Sequence, residues 1–547
     1  MDFKDQIIRL LEKETGVKGL NLSIPPDPAL GDYAFPCFAL AKQLKNDPIK
    51  IAADLSKKIK SPIISSIEVK GPYLNFFVNK TSLSSIILKE IINNQNYGST
   101  GIGRGKKIIV EHTSINPNAS PHVGRARNAL IGDSIVRILK FQDYDVKTHY
   151  FVNDIGKQIA MLVLGAGKSA KFEDLLNIYT QINKKISENP EIEKDVFELL
   201  NKLERNDKSI KARFKKIVGT CVKGQTMILS ELSIKYDNFD YESDYLWSKK
   251  TDEVLKKLEK TGKLFTDEEG RKVLDLEGFD LAMKCPVLVL TRADGTSLYP
   301  LRDLAYHLDK KTTENIIILG EDQKLYHQQI KAALTILNHI VPKAVHYSFV
   351  LLEDGKMSTR KGTVVLLEDF MKEATEKAES EIKKRYGKID KINAKKIAYG
   401  AIKYAILKVS SEKNVIFKWD QALSFEGDTG PYIQYAYARI FSILHKTRRI
   451  DGNVDYSLLT SPEEIELIKL LGNFPDIVKS ATLQLKPHLI ANYLYALSSQ
   501  FSLFYNACPV IKSEIKIKKA RILLITCMKH VLKNGLSLLG IDVLDKM

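Results

Sequence analysis

"KKIIVEHTSINPNASPHVGRARNALIGDSIVRILKFQDYDVKTHYFVND", residues 106–154, decides the fold. It opens on a short apolar run, read as a buried strand over 107–113. A polar turn leads into helical spacing from about Arg125, where Ala129, Leu130, Ile135, Val136, Ile138 and Leu139 can share one face. "VKTHYFVND" is a second strand. Strand, helix and strand within about 45 residues form a βαβ unit, and a parallel sheet follows from it. The expected class is α/β.

On the N-terminal side, the first hundred residues look like a separate small α/β unit. "MDFKDQIIRLLEKETG" reads as an amphipathic helix, and "NDPIKIAADLSKKI" gives a second, with Asp47 and Pro48 at its start. "ISSIEVKGPYLNFFVN" alternates like strands around the Gly71-Pro72 turn. "NNQNYGSTGIGRGKK" is polar and glycine-rich, hence a linker. On the C-terminal side, about 168–245 is charged and helical, which suits an insertion between two halves of a nucleotide-binding fold. Strand signals return at "CPVLVLTR", "NIIILGE" and "AVHYSFVLLED". From about Ile392 only helical patterns occur. The expected division is 1–100 (small α/β), 101–391 (parallel sheet with its insertion) and 392–547 (α-helical bundle).

The totals set limits. A chain of 547 residues is too long for one core. Lys and Arg number 83 against 66 Asp and Glu, a formal charge of +17, which favours a polyanionic partner without choosing between RNA and DNA. The five cysteines are scattered singly, so a Cys-rich structural zinc site is not expected and a reducing compartment is. The acidic start is unlike a signal peptide, and no apolar run is long enough to span a bilayer. The cytoplasm is the expected location.

Two phosphate-like motifs are set aside. "LVLGAGKS" ends like a P-loop, but Leu162 stands where the loop needs its first glycine. "GIGRG" precedes its strand, whereas a dinucleotide fingerprint follows one. His122-Val123-Gly124 is better placed, between a strand end and a helix start, where free N–H groups favour phosphate oxygens. His122 can donate to a phosphate, and Gly124 allows close approach. "EDGKMSTRKGTVV" is its partner: a glycine-bracketed loop offering Lys356, Arg360 and Lys361 with Met357, Ser358 and Thr359, able to stabilise charge on a departing pyrophosphate. Each alone competes with a plain helix cap or a solvated basic turn; the pair is much rarer.

H-x-G-x with K-M-S-x-x resembles the class I aminoacyl-tRNA synthetases, and the surrounding words resemble the arginyl-tRNA synthetase family. Those words are "EHTSINPN…HVGRARNALIGD", "YFVNDIGKQ", "TSLYPLRDLAY", "KMSTRKG" and "FEGDTGPYIQYAYARI". "GDYAFPCFALAK" and "GPYLNFFVN" resemble its N-terminal tRNA-binding domain, and "LLGIDVLDKM" its helical C-terminal end. The likeness covers nearly the whole chain and is weakest over the insertion.

This resemblance implies a Rossmann-type catalytic domain and an all-α anticodon-binding bundle. It implies ATP-dependent activation of arginine and transfer to the 3′ end of tRNA(Arg), with Mg²⁺ accompanying the nucleotide, no structural zinc, and a monomer. His122, Arg125, Lys356, Ser358 and Lys361 are the implied catalytic groups, and His122, Gly124, Lys356, Met357 and Ser358 the ATP contacts. Tyr299 and Asp303 are the implied guanidinium pair, four apart and on one face if their stretch is helical. Glu111, Ser114 and Asn116 would hold the amino and carboxylate ends, with Gln323 a further contact. Asn153 and Gln158 are weaker candidates, because such groups more often order a loop. Tyr432, Gln434, Tyr435 and Tyr437 are candidates for stacking on or contacting unpaired bases, against the plain alternative of helix packing.

The chain departs from the family pattern at three positions. Arg125 stands where a second histidine is usual, Ala119 where a lysine is frequent, and Thr359 where the loop usually has its second lysine. A cation survives at Arg125, so activity is expected. The alternatives are a class I synthetase for another amino acid and a catalytically weakened RNA-binding paralogue. Retention of Gly124, Asp303 and Lys356 speaks against the latter.

Overall fold

The structure is a computed structural model and describes residues 3–166, 170–310, 312, 314–352, 365–387, 389–447 and 453–547. Near the N-terminus, β1 (Tyr33–Pro36), β2 (Ile64–Lys70) and β3 (Tyr73–Val78) form an antiparallel sheet in the order β1-β3-β2. Helices Phe3–Thr15, Phe38–Leu44 and Pro48–Lys58 belong to the same unit. The third starts as its residues dictate: Asp47 accepts from the Ile49 and Lys50 amides, and Pro48 occupies the first turn. The stretch read as a linker has no regular element but is anchored, since Tyr97 is buried and donates to Leu471 O at 3.1 Å.

The chain then lays down β4 (Lys107–Glu111), β5 (Asp145–Val152) and β6 (Asn238–Tyr241). A small antiparallel sheet of β7 (Leu264–Thr266), β8 (Lys272–Asp275) and β9 (Val287–Val289) follows, and then β10 (Glu314–Gly320) and β11 (Lys343–Tyr347). Five of these strands form one parallel sheet in the order β11-β10-β4-β5-β6. Chain order reverses at β4, so the ligand crevice of such a sheet opens at its C-terminal end.

"CPVLVLTR" forms a strand as expected, β9, in the small antiparallel sheet. Two expectations need correction. The region of about 168–245 read as helical contains β6, a short polar edge strand whose composition hid it. The strand before the K-M-S segment, β12 (Val350–Leu352), pairs with β13 (Val415–Phe417), a strand inside the supposedly all-helical end. The last strand of the main sheet is therefore β11, one step earlier.

Helix Val123–Phe141 is buried on almost every side, including Arg127, Asn128, Asp133 and Ser134. It packs against the sheet and against helices Lys391–Leu407, Phe474–Gln484 and Ile515–Leu538, which explains why it is not amphipathic. The remaining bundle helices are Gly430–Lys446, Pro462–Gly472 and His488–Ala507. The C-terminal tail is pinned to the central helix by Ser134 Oγ, which donates to Leu538 O at 2.8 Å, and to helix Lys391–Leu407 by the buried Lys403 ammonium, which donates to Gly540 O. One apolar core runs from Ile7 through Val110 and Ile135 to Leu532. Separate clusters serve the insertion and the segment around Leu274 and Leu304.

Candidate active site

His122 caps helix Val123–Phe141 with its own ring: Nδ1 accepts from the Arg125 amide at 3.3 Å. Burial, helped by the Arg125 guanidinium, holds its pKa down at about 4. The ring is therefore neutral near pH 7, and with Nδ1 used as acceptor its proton sits on Nε2. His122 thus presents one N–H donor at a helix N-terminus, beside the Arg125 cation and the Cβ-free Gly124. The Arg125 side chain has no carboxylate partner among the described residues.

Lys356, Met357, Ser358 and Lys361 lie outside the described residues, as do Thr359 and Arg360. The residues that follow them are described. Val123 N donates to Val365 O at 3.1 Å, and Leu367 N to Pro121 O at 2.7 Å. On the incoming side, Arg127 is fully buried and donates to Ser348 O at 2.6 Å, Phe349 O at 3.2 Å and Ser410 O at 3.0 Å. The flanks on both sides are thus bonded to the segment Pro121–Arg127.

The exit of β4 is strained. Thr113 and Ser114 have φ of 85° and 29°, in the left-handed region that side chains avoid. Buried Asn128 sustains it, accepting from Thr113 N at 2.7 Å while its amide donates to Ile318 O at 2.8 Å. The loop beyond is tied down by Gln158, whose Oε1 accepts from Asn116 at 3.2 Å and Asn118 at 3.1 Å. Asn153, with its amide nitrogen toward the acceptors, reaches Glu242 Oε2 at 3.0 Å and Ile155 O at 2.7 Å. Gln158 thus orders the loop after β4 and Asn153 the turn after β5, and within the former loop Asn116 is exposed and Ser114 half-buried.

A carboxylate pocket completes the site. Tyr299 and Asp303 lie on helix Tyr299–Asp309, whose first turn leaves the Tyr299 side 57% exposed. The Asp303 side chain is 23% exposed, with Oδ1 3.4 Å from His307 Nε2. Its Oδ2 accepts from the Tyr326 hydroxyl at 2.9 Å. Burial, with the charges of Glu111 and Glu242 adding and Tyr326 and Lys310 opposing, pushes Asp303 up to about 7. Glu111 is 3% exposed, and its Oε2 accepts from Tyr306 at 2.7 Å and Lys310 at 2.6 Å. Arg302 turns away from Asp303 and pairs with buried Glu242 at 2.7 Å. Gln323 is half-buried at the start of helix Lys324–Ile336. Glu242, Tyr326, Lys310 and His307 were not singled out from the sequence. Glu242 had a usable signal, because it follows β6 as Glu111 ends β4.

Among the aromatic candidates, Tyr435 stacks under the Arg439 guanidinium at 4.6 Å, and Tyr505 lies 4.7 Å from the same group. Tyr432 is half-buried with its hydroxyl 3.0 Å from Ser502 Oγ. Gln434 is fully buried and donates to Asp542 O at 2.8 Å and Lys396 O at 3.2 Å, so it is a packing residue with nothing to present to RNA. Tyr437 is buried too. A cavity of about 490 Å³ lined by Asp32, Tyr97 and Lys469 lies between the N-terminal unit and the bundle, away from His122.

The chain is similar to known proteins over its whole length. Residues 87–419 match the family "tRNA synthetases class I (R), catalytic domain". Residues 433–547 match "DALR anticodon binding domain", and 2–78 match "Arginyl tRNA synthetase N terminal domain". The arginine–tRNA ligase of Methanocaldococcus jannaschii is 38% identical, with 100% of each chain covered. That of Methanothermobacter thermautotrophicus is 40% identical over 100% of this chain and 98% of its own. Among solved structures, Thermus thermophilus arginyl-tRNA synthetase superposes with a TM-score of 0.83 at 27% identity over 100% of both chains.

Proposed function

The chain belongs to the arginyl-tRNA synthetase family of class I and joins arginine to tRNA at the expense of ATP, and we propose that it does so through the groups converging on His122 and Asp303. Arginine's carboxylate attacks the α-phosphorus of ATP and pyrophosphate leaves. The terminal ribose hydroxyl of tRNA(Arg) then takes the arginyl group and AMP leaves. Positioning and charge stabilisation carry such chemistry, so no protein nucleophile is required.

In this reading His122 donates from Nε2 to a phosphate, Gly124 lets the nucleotide approach, and Arg125 supplies a cation. Lys356, Met357, Ser358 and Lys361 complete the phosphate contacts. Tyr299, Asp303 and Gln323 take the guanidinium, while Glu111, Ser114 and Asn116 hold the other end of arginine. Glu111 would do so with the oxygen that Tyr306 and Lys310 leave free of their contacts. Magnesium would accompany the nucleotide, held mostly by its phosphates and by water. Residues 1–100 and 392–547 are assigned to tRNA binding, with Tyr432 and Tyr435 as base contacts, and 101–391 to catalysis. The enzyme is taken to work as a monomer in the cytoplasm; no described helix is long and apolar enough to cross a membrane.

The observation that carries this reading is Asp303, a carboxyl pushed up to about 7 in a pocket shared with Glu111 and Glu242. Such a pocket is built for a cation, and a planar guanidinium between Tyr299 and Asp303 suits it. The test is charging of bulk tRNA with each of the twenty amino acids in the presence of ATP, with pyrophosphate exchange measured with tRNA present. Arginine alone should attach. RNA binding without charging would overturn the reading.

A further inference from the structure

Glu111 is held by more than its own strand. Glu111 on β4, His149 on β5 and Asn238 on β6 are register partners across three adjacent strands, so their side chains point to one side of the sheet. Asp240, two residues beyond Asn238, shares that side. Helix Tyr299–Asp309 supplies the groups that meet this row. Tyr306 shares a helix face with Asp303, and Lys310 follows at the helix end.

The hydrogen bonds form a directed chain. Asn238 Nδ2 lies 3.3 Å from His149 Nε2, and an amide nitrogen can only donate, so Nε2 accepts and the ring donor is Nδ1. Nδ1 is 2.6 Å from Asp240 Oδ2, which receives it. The buried Tyr306 hydroxyl stands 2.9 Å from the same Asp240 oxygen and 2.7 Å from Glu111 Oε2. A phenol carries one proton, and the shorter contact takes it to Glu111. Lys310 donates to that same Oε2 at 2.6 Å, its ammonium 4.0 Å above the Tyr306 ring. Both donors fall on Oε2, which leaves Oε1 free of their contacts.

A strand fixes where a glutamate starts but not how its carboxyl plane is turned, because the last torsion of the side chain is broad. We propose that Tyr306 and Lys310 are positioning residues for arginine: they turn Glu111 so that Oε1 faces the substrate, while Asp240 and His149 hold the tyrosine in place. The proposal rests on the reading of Glu111 as an arginine contact. It also makes one helix responsible for both carboxylates, since Asp303 is carried on helix Tyr299–Asp309 and Glu111 is aimed from it.

The test uses the full chain with tRNA present. Tyr306→Phe keeps the ring under Lys310 and removes only the hydroxyl. The KM for arginine should rise about tenfold, while kcat and the KM for ATP stay within about twofold. Lys310→Met should raise the KM for arginine at least as much, and Lys310→Arg, which restores a cationic donor, should bring it back to within about threefold of the parent. Tyr306→Phe combined with Glu111→Gln should exceed Glu111→Gln alone by less than about twofold, because the tyrosine acts through that carboxylate; a loss of packing would multiply instead. Tyr306→Phe conserves apolar volume, so it decides the matter even where Lys310→Met fails to fold. A parent-like KM for arginine in Tyr306→Phe, or multiplying losses in the double variant, would overturn the proposal. A parent-like KM in Glu111→Gln would instead remove Glu111 as an arginine contact, so the two failures can be told apart.

Discussion

Tyr326 donates its hydroxyl to Asp303 Oδ2 at 2.9 Å from the neighbouring helix, and its ring lies 5.2 Å from that of Tyr299. The carboxylate is thus oriented by a residue on a second element, while Tyr299 and Asp303 share the first. A bidentate guanidinium needs such a fixed carboxylate plane, because a freely rotating one would lose affinity to rotamer entropy. Removing the charge and removing its orienting partner therefore have separable consequences.

Asp303→Asn keeps the shape and removes the charge. A hydrogen bond to a charged group contributes about 1.5–3 kcal/mol, so the KM for arginine should rise about 10–150-fold. The KM for ATP should change less than about twofold, because Asp303 lies on helix Tyr299–Asp309, whereas the proposed phosphate contacts lie at the His122 turn. Steady-state charging with each substrate varied in turn checks this. Equal effects on both would mean that the pocket is misplaced.

The same residue predicts a pH dependence. Burial and the charges of Glu111 and Glu242 push Asp303 up to about 7, so its neutral form gains population as pH falls through that value. Arginine needs the ionised form, and binding must release the proton. The KM for arginine should therefore be flat above about pH 8 and rise toward tenfold per unit below pH 7. Tyr326→Phe removes a bond that lowers this pKa, so the rise should begin at higher pH. A profile without a break between pH 5 and 8 would count against Asp303 as the guanidinium partner.

The sequence discloses this site unevenly, for physical reasons. His122 and Gly124 were legible as a strand–helix turn, a local pattern, whereas Tyr299 and Asp303 were singled out only through the family resemblance, since their helical spacing alone reads as an exposed helix face. Tyr326, Lys310 and Glu242 were missed because their roles arise from contacts between elements far apart in the chain, such as Lys310 with Glu111 at 2.6 Å. Gln434 misled for the converse reason. Lying between tyrosines, it looked like a base contact, yet the fold buries it between Gly400 and the C-terminal tail. The main sheet followed from its βαβ unit, whereas β6 was too short and too polar to register as a strand, and β13, though apolar, is only three residues long and lies among helical patterns.

Gly132 shows how tightly the strained exit of β4 is packed. A Cβ there would come within 2.3 Å of the His112 ring, which is buried and held at about 3 by burial, hence neutral. His112 Nδ1 lies 2.7 Å from Thr113 Oγ1, so any shift of the ring reaches the residue with the left-handed backbone. Gly132→Ala should cost about 1–3 kcal/mol of stability by overpacking. It should also lower kcat for adenylate formation in the fraction that remains folded. Thermal unfolding with activity assayed well below the transition checks both. A stable variant of normal kcat would show that the ring moves aside freely.

Arg125 stands where the family resemblance leads one to expect a second histidine, at the turn proposed to bind ATP. Its side chain has no carboxylate partner among the described residues, and it stands beside a histidine whose Nδ1 is committed to the helix cap. A guanidinium in that position stays charged at every working pH and can fork onto two phosphate oxygens, whereas a histidine would be mostly neutral. Arg125→His should therefore lower ATP-dependent activation roughly tenfold, chiefly through the KM for ATP, and Arg125→Ala should lower it further. Raising the pH from 6 to 8 should worsen Arg125→His relative to the parent, as the new imidazole loses its proton. Higher activity in Arg125→His at pH 7.5 would mean that the arginine merely tolerates the loss of the histidine and makes no phosphate contact of its own.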